Sequence, residues 1–315
     1  MARVVVATAF GGPEVLAVVD QPTLQPGPGE VVLQVRACAV NPIDYKVYSG
    51  AFGANPGLLP MRLGLEVAGL VIATGPDAIG PAGPVAAGDE VIGYRVSGGY
   101  AAELVAPAAS IVPRPPRLDW AQASGLMLAG ATAWHCLVAT AAGGGDTVLV
   151  HGASGGVGLM VSQLAALRGA RVIGTARPAR HDVLREFGVI PVAYGPGLAD
   201  RVRAAAPDGI DVALDLVGTD EALEVSVELV ADRSRIATIA APGRAAGLGI
   251  KALGGGPGAD PGTEIREAAR LELARLAGAG ELTVLVTGTF GLDEVADAHH
   301  AIMTGHTAGK LALLP

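Results

Sequence analysis

A glycine-rich turn between a short apolar run and a helix is the feature that most constrains this fold. Residues 146–152 (DTVLVHG) are apolar enough for a buried strand, and residues 157–170 (VGLMVSQLAALRGA) have the pattern of an amphipathic helix. The turn between them, residues 151–158, reads HGASGGVG, and a second apolar run begins at Arg171. Strand, turn, helix and strand within about 30 residues predict a βαβ unit with parallel strands.

The alternation of strand and helix continues after this turn. A helical stretch over 120–142 precedes it, a short helix is predicted at 183–188, and strands are predicted at 211–217 and 235–241. Strands that alternate with helices at this spacing are typical of a doubly wound parallel sheet, the Rossmann arrangement. We therefore predict such a sheet between residues 119 and 255.

The two ends of the chain have different patterns. Before residue 118 there are short runs rich in Val and Ile, separated by Gly and Pro, which predict a β-rich barrel or sandwich; they lie at 4–10, 30–40, 65–74, 89–96 and 101–107. After residue 255 the pattern is mixed, with helices at 264–280 and 292–305 and strands at 283–290 and 309–315. The chain is thus predicted to be an α/β protein with segments 1–118, 119–255 and 256–315.

Composition excludes several classes of function. The 315 residues are 50% hydrophobic and 17% charged, with a formal net charge of −8 and no basic run. Nucleic acid and anionic membranes are therefore poor candidates as partners, and no apolar run approaches the roughly 20 residues of a membrane span. Two cysteines, Cys38 and Cys136, fit a reducing compartment. We expect a cytoplasmic protein.

The glycine turn has the context of a dinucleotide-binding site. Glycines allow a tight turn and let backbone N–H groups approach a diphosphate, which the partial positive charge of the helix N-terminus also favours. The turn carries one residue more than the strict G-x-G-x-x-G pattern, and a purely structural turn is the alternative. The predicted cofactor contacts in this turn are Gly152, Ala153, Ser154, Gly155, Gly156, Val157 and Gly158.

The end of the second strand favours NADPH over NADH. NAD-binding versions carry an acidic residue about 20 residues after the turn, for the ribose hydroxyls. Here residues 174–180 read GTARPAR and contain no carboxylate. Arg177 and Arg180 could bind a 2′-phosphate through charge-assisted hydrogen bonds, with Thr175 beside them. The alternative is that both arginines form a solvated helix start.

Seven segments together resemble the medium-chain dehydrogenase/reductase superfamily, in its quinone oxidoreductase-like, zinc-free branch. They are RACAVNPIDYK (36–46), LGLEVAGLV (63–71), AGDEVIG (87–93), TAWHCL (132–137), VLVHGASGGVG (148–158), DVALDLVG (211–218) and GKLALLP (309–315). The resemblance implies a GroES-like catalytic domain made from both chain ends and a Rossmann domain inserted between them. It also implies an active site in the cleft between these domains, and a homodimer joined through the Rossmann sheets.

The resemblance also implies that no metal is bound. Asn41 stands where zinc-dependent relatives carry a cysteine ligand, and Leu65 stands where they carry a histidine. The four-cysteine structural lobe is missing. His299 and His300 are adjacent on a predicted helix and point to different faces. The other histidines show no ligand spacing; they are His135, His151, His181 and His306.

A polar cluster follows the strand at 30–40 and supplies the catalytic candidates. They are Asn41, Asp44, Tyr45, Lys46 and Tyr48. Asn41 is a candidate neutral donor, and Asp44 could anchor the loop or position Lys46. By resemblance to enone-reducing members, Lys46 could contact the nicotinamide ribose or donate to the substrate oxygen, with Tyr45 and Tyr48 as substitutes. The alternative is a polar turn in which both tyrosines pack and Lys46 is exposed.

Further cofactor contacts are implied by the resemblance. Thr132 is expected near the nicotinamide, and Tyr194 near the adenosine 2′-phosphate beside Arg177. Val217 and Gly218 end a parallel strand, where the ligand crevice lies. Lys310 either reaches the nicotinamide side or caps its strand. Glu66 is expected to be a buried structural carboxylate.

These features predict a zinc-independent oxidoreductase that transfers hydride from NADPH to a quinone or an α,β-unsaturated carbonyl compound. Without a Lewis acid, reduction of a conjugated acceptor needs less help than oxidation of an alcohol. Two alternatives stay open. One is an enoyl or tailoring reductase that acts on a larger, polyketide-like substrate. The other is a non-catalytic NADPH-binding redox sensor.

Overall fold

The computed structural model describes residues 1–22, 25–256, 258–305 and 307–315. These residues form two compact units, one made of Met1–Leu128 with Arg270–Pro315 and one made of Ala129–Ala269. We call them the β-rich unit and the Rossmann unit. In the described part of the chain, the helices are all too short or too polar to cross a membrane.

The strands of the β-rich unit come from both ends of the chain. They are β1 (Ala2–Ala7), β2 (Leu16–Gln21), β3 (Glu30–Val40), β4 (Met61–Arg62), β5 (Glu66–Thr74), β6 (Ile79–Gly80), β7 (Gly83–Pro84), β8 (Glu90–Tyr94), β9 (Glu103–Pro107), β10 (Ile111–Pro113), β17 (Val286–Gly291) and β18 (Lys310–Leu314). The main sheet has the order β10-β8-β5-β3-β18-β17, with β9 also paired to β3. The C-terminal strand β18 therefore lies beside β3, antiparallel to it, with Leu311 opposite Val40.

The main sheet of this unit alternates apolar and polar residues only in part, because β3 is buried on both faces near its end. Residues Ala37 to Val40 are all buried. Its helices are α1 (Pro42–Tyr48), α2 (Trp120–Ser124) and α10 (Val295–Met303). Leu33, Cys38 and Leu313 share one core with Val295 of α10. The chain leaves β3 at Asn41 and enters α1 at once, which places a polar turn against this core.

The Rossmann unit alternates strands and helices as predicted. Its elements are β11 (Thr147–His151), α4 (Gly156–Leu167), β12 (Arg171–Ala176), α5 (His181–Glu186), β13 (Ile190–Ala193), α6 (Leu198–Ala205), β14 (Val212–Asp215), α7 (Asp220–Leu229), β15 (Ile236–Thr238), α8 (Pro242–Leu248) and β16 (Lys251–Ala252). The parallel sheet has the order β13-β12-β11-β14-β15-β16. The order reverses at β11, so the carboxyl ends of β11, β12 and β14 border the switch point where ligands bind in such sheets.

The predicted helix over 120–142 is wrong in one respect, because the structure has two helices there. The first, α2, ends at Ser124 with Gly125 as its C-cap, and α3 runs from Met127 to Ala139. A Cβ at Gly125 would lie 3.2 Å from Cε of Lys310 and from Val284, so the chain turns where a side chain has little room. Helix α3 contains the first boundary between the two units, and α9 (Thr263–Ala279) contains the second.

Each boundary between the units falls inside one of these helices, at 128/129 and 269/270. The boundaries expected from the sequence, 118/119 and 255/256, lie at runs of Pro and Gly instead. The difference at the first boundary has a physical reason. Helix α2, whose N-cap Asp119 accepts a hydrogen bond from the backbone N–H of Gln122, packs against β3 and β5 and so belongs to the β-rich unit.

Candidate functional site

The glycine turn lies at the carboxyl end of β11, the central strand of the Rossmann sheet. Gly152 has a φ of +77°, and a Cβ there would lie 2.6 Å from Val217 Cγ1. A Cβ at Gly158 would lie 2.5 Å from the carbonyl oxygen of Gly152. These two glycines are therefore required by the packing of the turn itself.

Gly155 is different, because the packing of the protein does not require it. It has a φ of −76°, which any residue adopts, and a Cβ would meet its nearest neighbour at 3.5 Å. It is the N-cap of α4, and no side chain caps this helix. A glycine at an uncapped helix start leaves backbone N–H groups open to an anion. The turn therefore fits the diphosphate of a dinucleotide.

The ends of the neighbouring strands surround this turn. Gly152 N–H donates to Thr175 Oγ1 on β12 at 3.4 Å. Asp215, the buried last residue of β14, accepts from the backbone N–H groups of Val217 at 3.0 Å and Gly218 at 2.8 Å. The Val217 side chain is 48% exposed. Three strand ends thus converge where the crevice was expected.

Arg177 and Tyr194 follow paired residues on adjacent strands. Ala176 at the end of β12 is opposite Ala193 at the end of β13. Arg177 and Tyr194, the next residues along each chain segment, therefore lie at the same edge of the sheet. Arg177 and Arg180 are half-buried, and Tyr194 is 52% exposed. The carboxyl end of β12 thus carries guanidinium groups in place of an acidic residue, and the carboxyl end of β13 carries a phenol.

His151, the last residue of β11, is buried at the same end of the sheet. Its Nδ1 lies 3.3 Å from Thr175 Oγ1, while Nε2 is buried and without a hydrogen-bond partner among the described residues. Burial lowers the pKa of His151 to about 4, although the negative charge of Asp215 opposes this. The imidazole is therefore neutral.

The catalytic candidates lie in the β-rich unit, at the end of β3 and in α1. Asn41 and Asp44 are both 2% exposed, and Asn41 N–H donates to Asp44 Oδ2 at 2.8 Å. Tyr45 is half-buried and packs against the core of the unit. Lys46 is half-buried too, and within the described ranges its ammonium has no polar partner.

The carboxamide of Asn41 is fully engaged inside this unit. Nδ2 donates to Glu66 Oε1 at 3.1 Å and, more weakly, to the carbonyl oxygen of Ala39 at 3.4 Å. Oδ1 accepts from Nζ of Lys310. Both amide hydrogens are therefore used within the protein, and the amide acts as a link in a buried network.

Lys310 and Glu66 complete this network. Lys310 Nζ lies 3.0 Å from Glu66 Oε1, and Glu66 Oε2 accepts from the backbone N–H of Leu128 at 2.8 Å. The sequence identified Glu66 as structural but gave no sign that Lys310 is its partner. The ammonium occupies the two oxygens, from Asn41 and Glu66, that a metal ion would need.

A zinc ion does not fit this arrangement. Asn41 offers no thiolate, Leu65 has no ligating atom, and a positive ammonium already contacts both remaining oxygens. In the described part of the chain, no group of three or more His, Cys, Asp or Glu side chains could hold a metal. His306 lies outside the described residues.

A chain of hydrogen bonds continues from Asp44 into the core. Tyr100 O–H donates to Asp44 Oδ2 at 2.8 Å, His299 Nε2 lies 3.2 Å from the Tyr100 oxygen, and Tyr48 O–H lies 2.8 Å from His299 Nδ1. Because the Tyr100 proton goes to Asp44, its oxygen accepts from Nε2–H, and bare Nδ1 accepts from Tyr48. The Tyr48 proton therefore points into the core, which favours the packing alternative for Tyr48.

Burial sets the protonation of this chain. Burial raises the pKa of Asp44 to about 7, although hydrogen bonds from Asn41 and Tyr100 and the positive charge of Lys310 act to lower it. It lowers the pKa of His299 to about 4 and raises the pKa values of Tyr48 and Tyr100. Near neutral pH the imidazole and both phenols are thus uncharged, and Asp44 is the group that titrates. His299 and Tyr100 carry no sequence signal of this role, since the chain joins residues far apart in sequence.

Comparisons with known proteins agree with this fold. Residues 27–116 match the family described as alcohol dehydrogenase GroES-like domain, and residues 192–313 match the family described as zinc-binding dehydrogenase. A quinone oxidoreductase of Pseudomonas aeruginosa is 33% identical over the full length of both chains. The chain belongs to the medium-chain dehydrogenase/reductase superfamily. Within this family of nicotinamide-dependent oxidoreductases, it is a member of the zinc-free, quinone oxidoreductase-like branch.

Two further proteins are similar to this chain, one a solved structure and one a vesicle membrane protein. The solved structure of a mycobacterial protein complexed with NADPH is 30% identical, with a TM-score of 0.86 and 100% of both chains covered. The synaptic vesicle membrane protein VAT-1 homolog of Mus musculus is 34% identical over 222 residues, 69% of this chain. That match spans only 53% of the VAT-1 homolog, about half its length.

Proposed function

We propose that this protein transfers hydride from NADPH to a quinone or an α,β-unsaturated carbonyl compound without a metal ion. The observation that carries the proposal is Gly155, a glycine that packing does not require, at the uncapped start of α4. A diphosphate that approaches the backbone there explains it. The NADPH complex of the mycobacterial relative supports the same cofactor.

The residues of the Rossmann unit would hold the cofactor. The N–H groups of Gly152, Ala153 and Gly155 already donate within the protein. Those of Ser154, Gly156 and Val157 would face the diphosphate, with Thr175 and Gly218 at its border. Arg177, Arg180 and Tyr194 would bind the 2′-phosphate, where a carboxylate would repel it. When bound, the cofactor supplies the hydride, and the protein supplies orientation and electrostatics.

The β-rich unit would supply polar groups to the acceptor. Hydride addition to a conjugated acceptor develops negative charge on a carbonyl oxygen, and positioned donors stabilise it. The amide hydrogens of Asn41 go to Glu66 and Ala39, and its Oδ1 accepts from Lys310, so this amide is already engaged. The half-buried Lys46 ammonium is then the candidate donor of this unit, with Tyr45 beside it.

The test is NADPH oxidation, followed by its absorbance, against a panel of 1,4-benzoquinone, 9,10-phenanthrenequinone, alkenals, cyclic enones and saturated aldehydes. We expect turnover with quinones or enones that a chelator leaves unchanged. Turnover only with saturated aldehydes, lost on chelation, would overturn the proposal. Tight NADPH binding with no turnover on any acceptor would favour the redox-sensor alternative.

We further propose a homodimer in the cytoplasm. Both cysteines, Cys38 and Cys136, are free and buried, which fits a reducing compartment. The dimer follows from the family resemblance. Light scattering coupled to gel filtration would give the mass in solution, and a monomer at micromolar concentration would contradict the proposal.

A further inference from the structure

A second polar cluster lies in the Rossmann unit, around Thr132 of α3. Arg266 of α9 donates from Nη1 to Thr132 Oγ1 at 3.0 Å and from Nε to His135 Nδ1 at 3.3 Å. His135 Nε2 lies 3.3 Å from Asp260 Oδ2. Thr132 is 5% exposed and His135 is fully buried. Of these four residues, only Thr132 was predicted from the sequence to be a cofactor contact.

The direction of each hydrogen bond in this cluster is fixed by chemistry. A guanidinium only donates, so His135 Nδ1 is an acceptor and its proton lies on Nε2, facing Asp260. Burial and the charge of Arg266 both lower the pKa of His135, which keeps the imidazole neutral. Thr132 Oγ1 accepts from Arg266, so its own proton is available to another group. None of the described residues accepts that proton.

The cluster also depends on a close backbone approach. Gly262 has a φ of +57°, and a Cβ there would lie 2.3 Å from Cε1 of His135. Gly262 N–H donates to Asp260 Oδ1 at 2.9 Å. The backbone at Gly262 thus lies against the imidazole of His135, and it also holds the Asp260 carboxylate that orients this ring.

Arg266 brings a positive charge to this cluster. Its hydrogen bonds go to a neutral hydroxyl and a neutral imidazole, and it has no ion pair within the ranges that the structure describes. Arg275 on the same helix binds Glu272 and Glu281, and Lys310 binds Glu66. A half-buried cation without a direct carboxylate partner attracts an anionic ligand group.

We propose that Arg266 and Thr132 form the site for the acceptor oxygen that becomes negatively charged. This inference rests on the proposed function, because family resemblance places Thr132 near the nicotinamide. The guanidinium supplies the positive charge that zinc supplies in metal-dependent relatives, and it polarises the Thr132 hydroxyl, which donates to the same oxygen. His135 and Asp260 are positioning residues that hold Arg266.

The step balances in atoms and charge. Hydride from NADPH forms a C–H bond at the β-carbon of the enone, the C=C π pair moves to the Cα–C bond, and the carbonyl π pair moves to oxygen. The enolate oxygen lies against Arg266 and Thr132. A proton from water then adds at the α-carbon and restores the carbonyl, while NADPH leaves as NADP⁺. A quinone accepts hydride to give a hydroquinone anion, which water protonates.

The first test measures binding rather than turnover. The phenol 4-nitrophenol has an oxygen like that of a hydroquinone, and its visible absorbance reports ionisation. In the wild type with NADP⁺, we expect the pKa of bound 4-nitrophenol to fall by about one unit or more. Arg266→Met should abolish this fall, and Arg275→Met, the matched control, should retain it. An equal fall in Arg266→Met, or no binding to the wild type, would overturn the inference.

The second test is kinetic. Loss of one donor at a developing oxyanion typically lowers kcat about 10²- to 10³-fold. We expect that loss in Arg266→Met with an unchanged Kd for NADPH, measured by fluorescence, and a partial recovery in Arg266→Lys or with added guanidinium. Arg266→Lys keeps the test valid if the Met variant does not fold. A fully active Arg266→Met enzyme would refute the inference alone, whereas a wild type inactive on every acceptor would refute the proposed function.

Discussion

Lys310 and Glu66 form an ion pair inside the β-rich unit, with Nζ 3.0 Å from Oε1 and side-chain exposures of 6% and 0%. The two residues are 244 positions apart and join the last strand, β18, to the start of β5. Removing one partner of such a pair leaves an unpaired buried charge.

Lys310→Met should therefore destabilise the β-rich unit strongly. We expect a loss of about 3–5 kcal/mol in the free energy of unfolding, because the Glu66 carboxylate is left buried without its cation. The double variant Lys310→Met, Glu66→Gln should regain part of it. Urea denaturation followed by tryptophan fluorescence measures both. A single variant as stable as the wild type would show that the pair contributes nothing.

The glycine turn offers a pair of matched variants. Gly155→Ala should leave the melting temperature unchanged, since its nearest contact is at 3.5 Å, but should weaken NADPH binding about tenfold or more by blocking the diphosphate. Gly158→Ala should lower both stability and binding, because its Cβ would lie 2.5 Å from a backbone oxygen. Calorimetry and NADPH fluorescence provide the two readouts. Unaltered NADPH affinity in Gly155→Ala would count against the proposed diphosphate site.

The arginines after β12 should determine cofactor preference. We expect Arg177→Ala with Arg180→Ala to raise the Kd for NADPH by about two to four orders of magnitude, since each charge-assisted bond contributes about 1.5–3 kcal/mol and every 1.4 kcal/mol is about tenfold. The Kd for NADH should change little. Arg185→Ala, at an exposed arginine paired with Asp182, is the control. Equal losses for both cofactors would contradict a 2′-phosphate site.

Asp44 should make stability depend on pH. Its folded pKa of about 7 lies above the ordinary carboxyl value of 3.8, so the folded state binds the extra proton between these values and stability is lost as pH rises towards 7. His299 has the opposite effect, because its folded pKa of about 4 lies below 6.5 and stability is lost as pH falls between them. The two contributions oppose each other between pH 4 and 6.5.

Asp44→Asn should remove the opposing contribution, so that the pH dependence due to His299 is seen alone. We expect the variant to lose up to about 1.4 kcal/mol per pH unit on acidification below pH 6.5, where the wild type changes less. The melting temperature of the unit between pH 4 and 8 measures this. A variant whose profile overlays that of the wild type would mean that Asp44 ionises normally in the folded protein.

Local pattern was enough to predict four strands of the Rossmann sheet, β11, β12, β14 and β15, but not the short strands β13 and β16. Short apolar strands separated by helices, such as β11, α4 and β12, have a periodicity that needs no distant partner to be recognised. The same holds for the glycine turn at 152–158, because its residues are contiguous and their geometry is set by local sterics. The break in the predicted helix over 120–142 was missed. It lies at Gly125, where Lys310 leaves little room for a side chain, and Lys310 is far away in sequence.

The two classes of strand pattern, the glycine turn and the arginines after β12 could be predicted, because each depends on neighbours within a few residues. Three contacts could be seen only in the folded protein: the full engagement of the Asn41 amide, the pairing of Lys310 with Glu66, and the hydrogen bond from Arg266 to Thr132. Hydrogen bonds and ion pairs of this kind need atoms within about 3 Å. Chain folding alone brings residues so distant in sequence that close, so no local pattern records them.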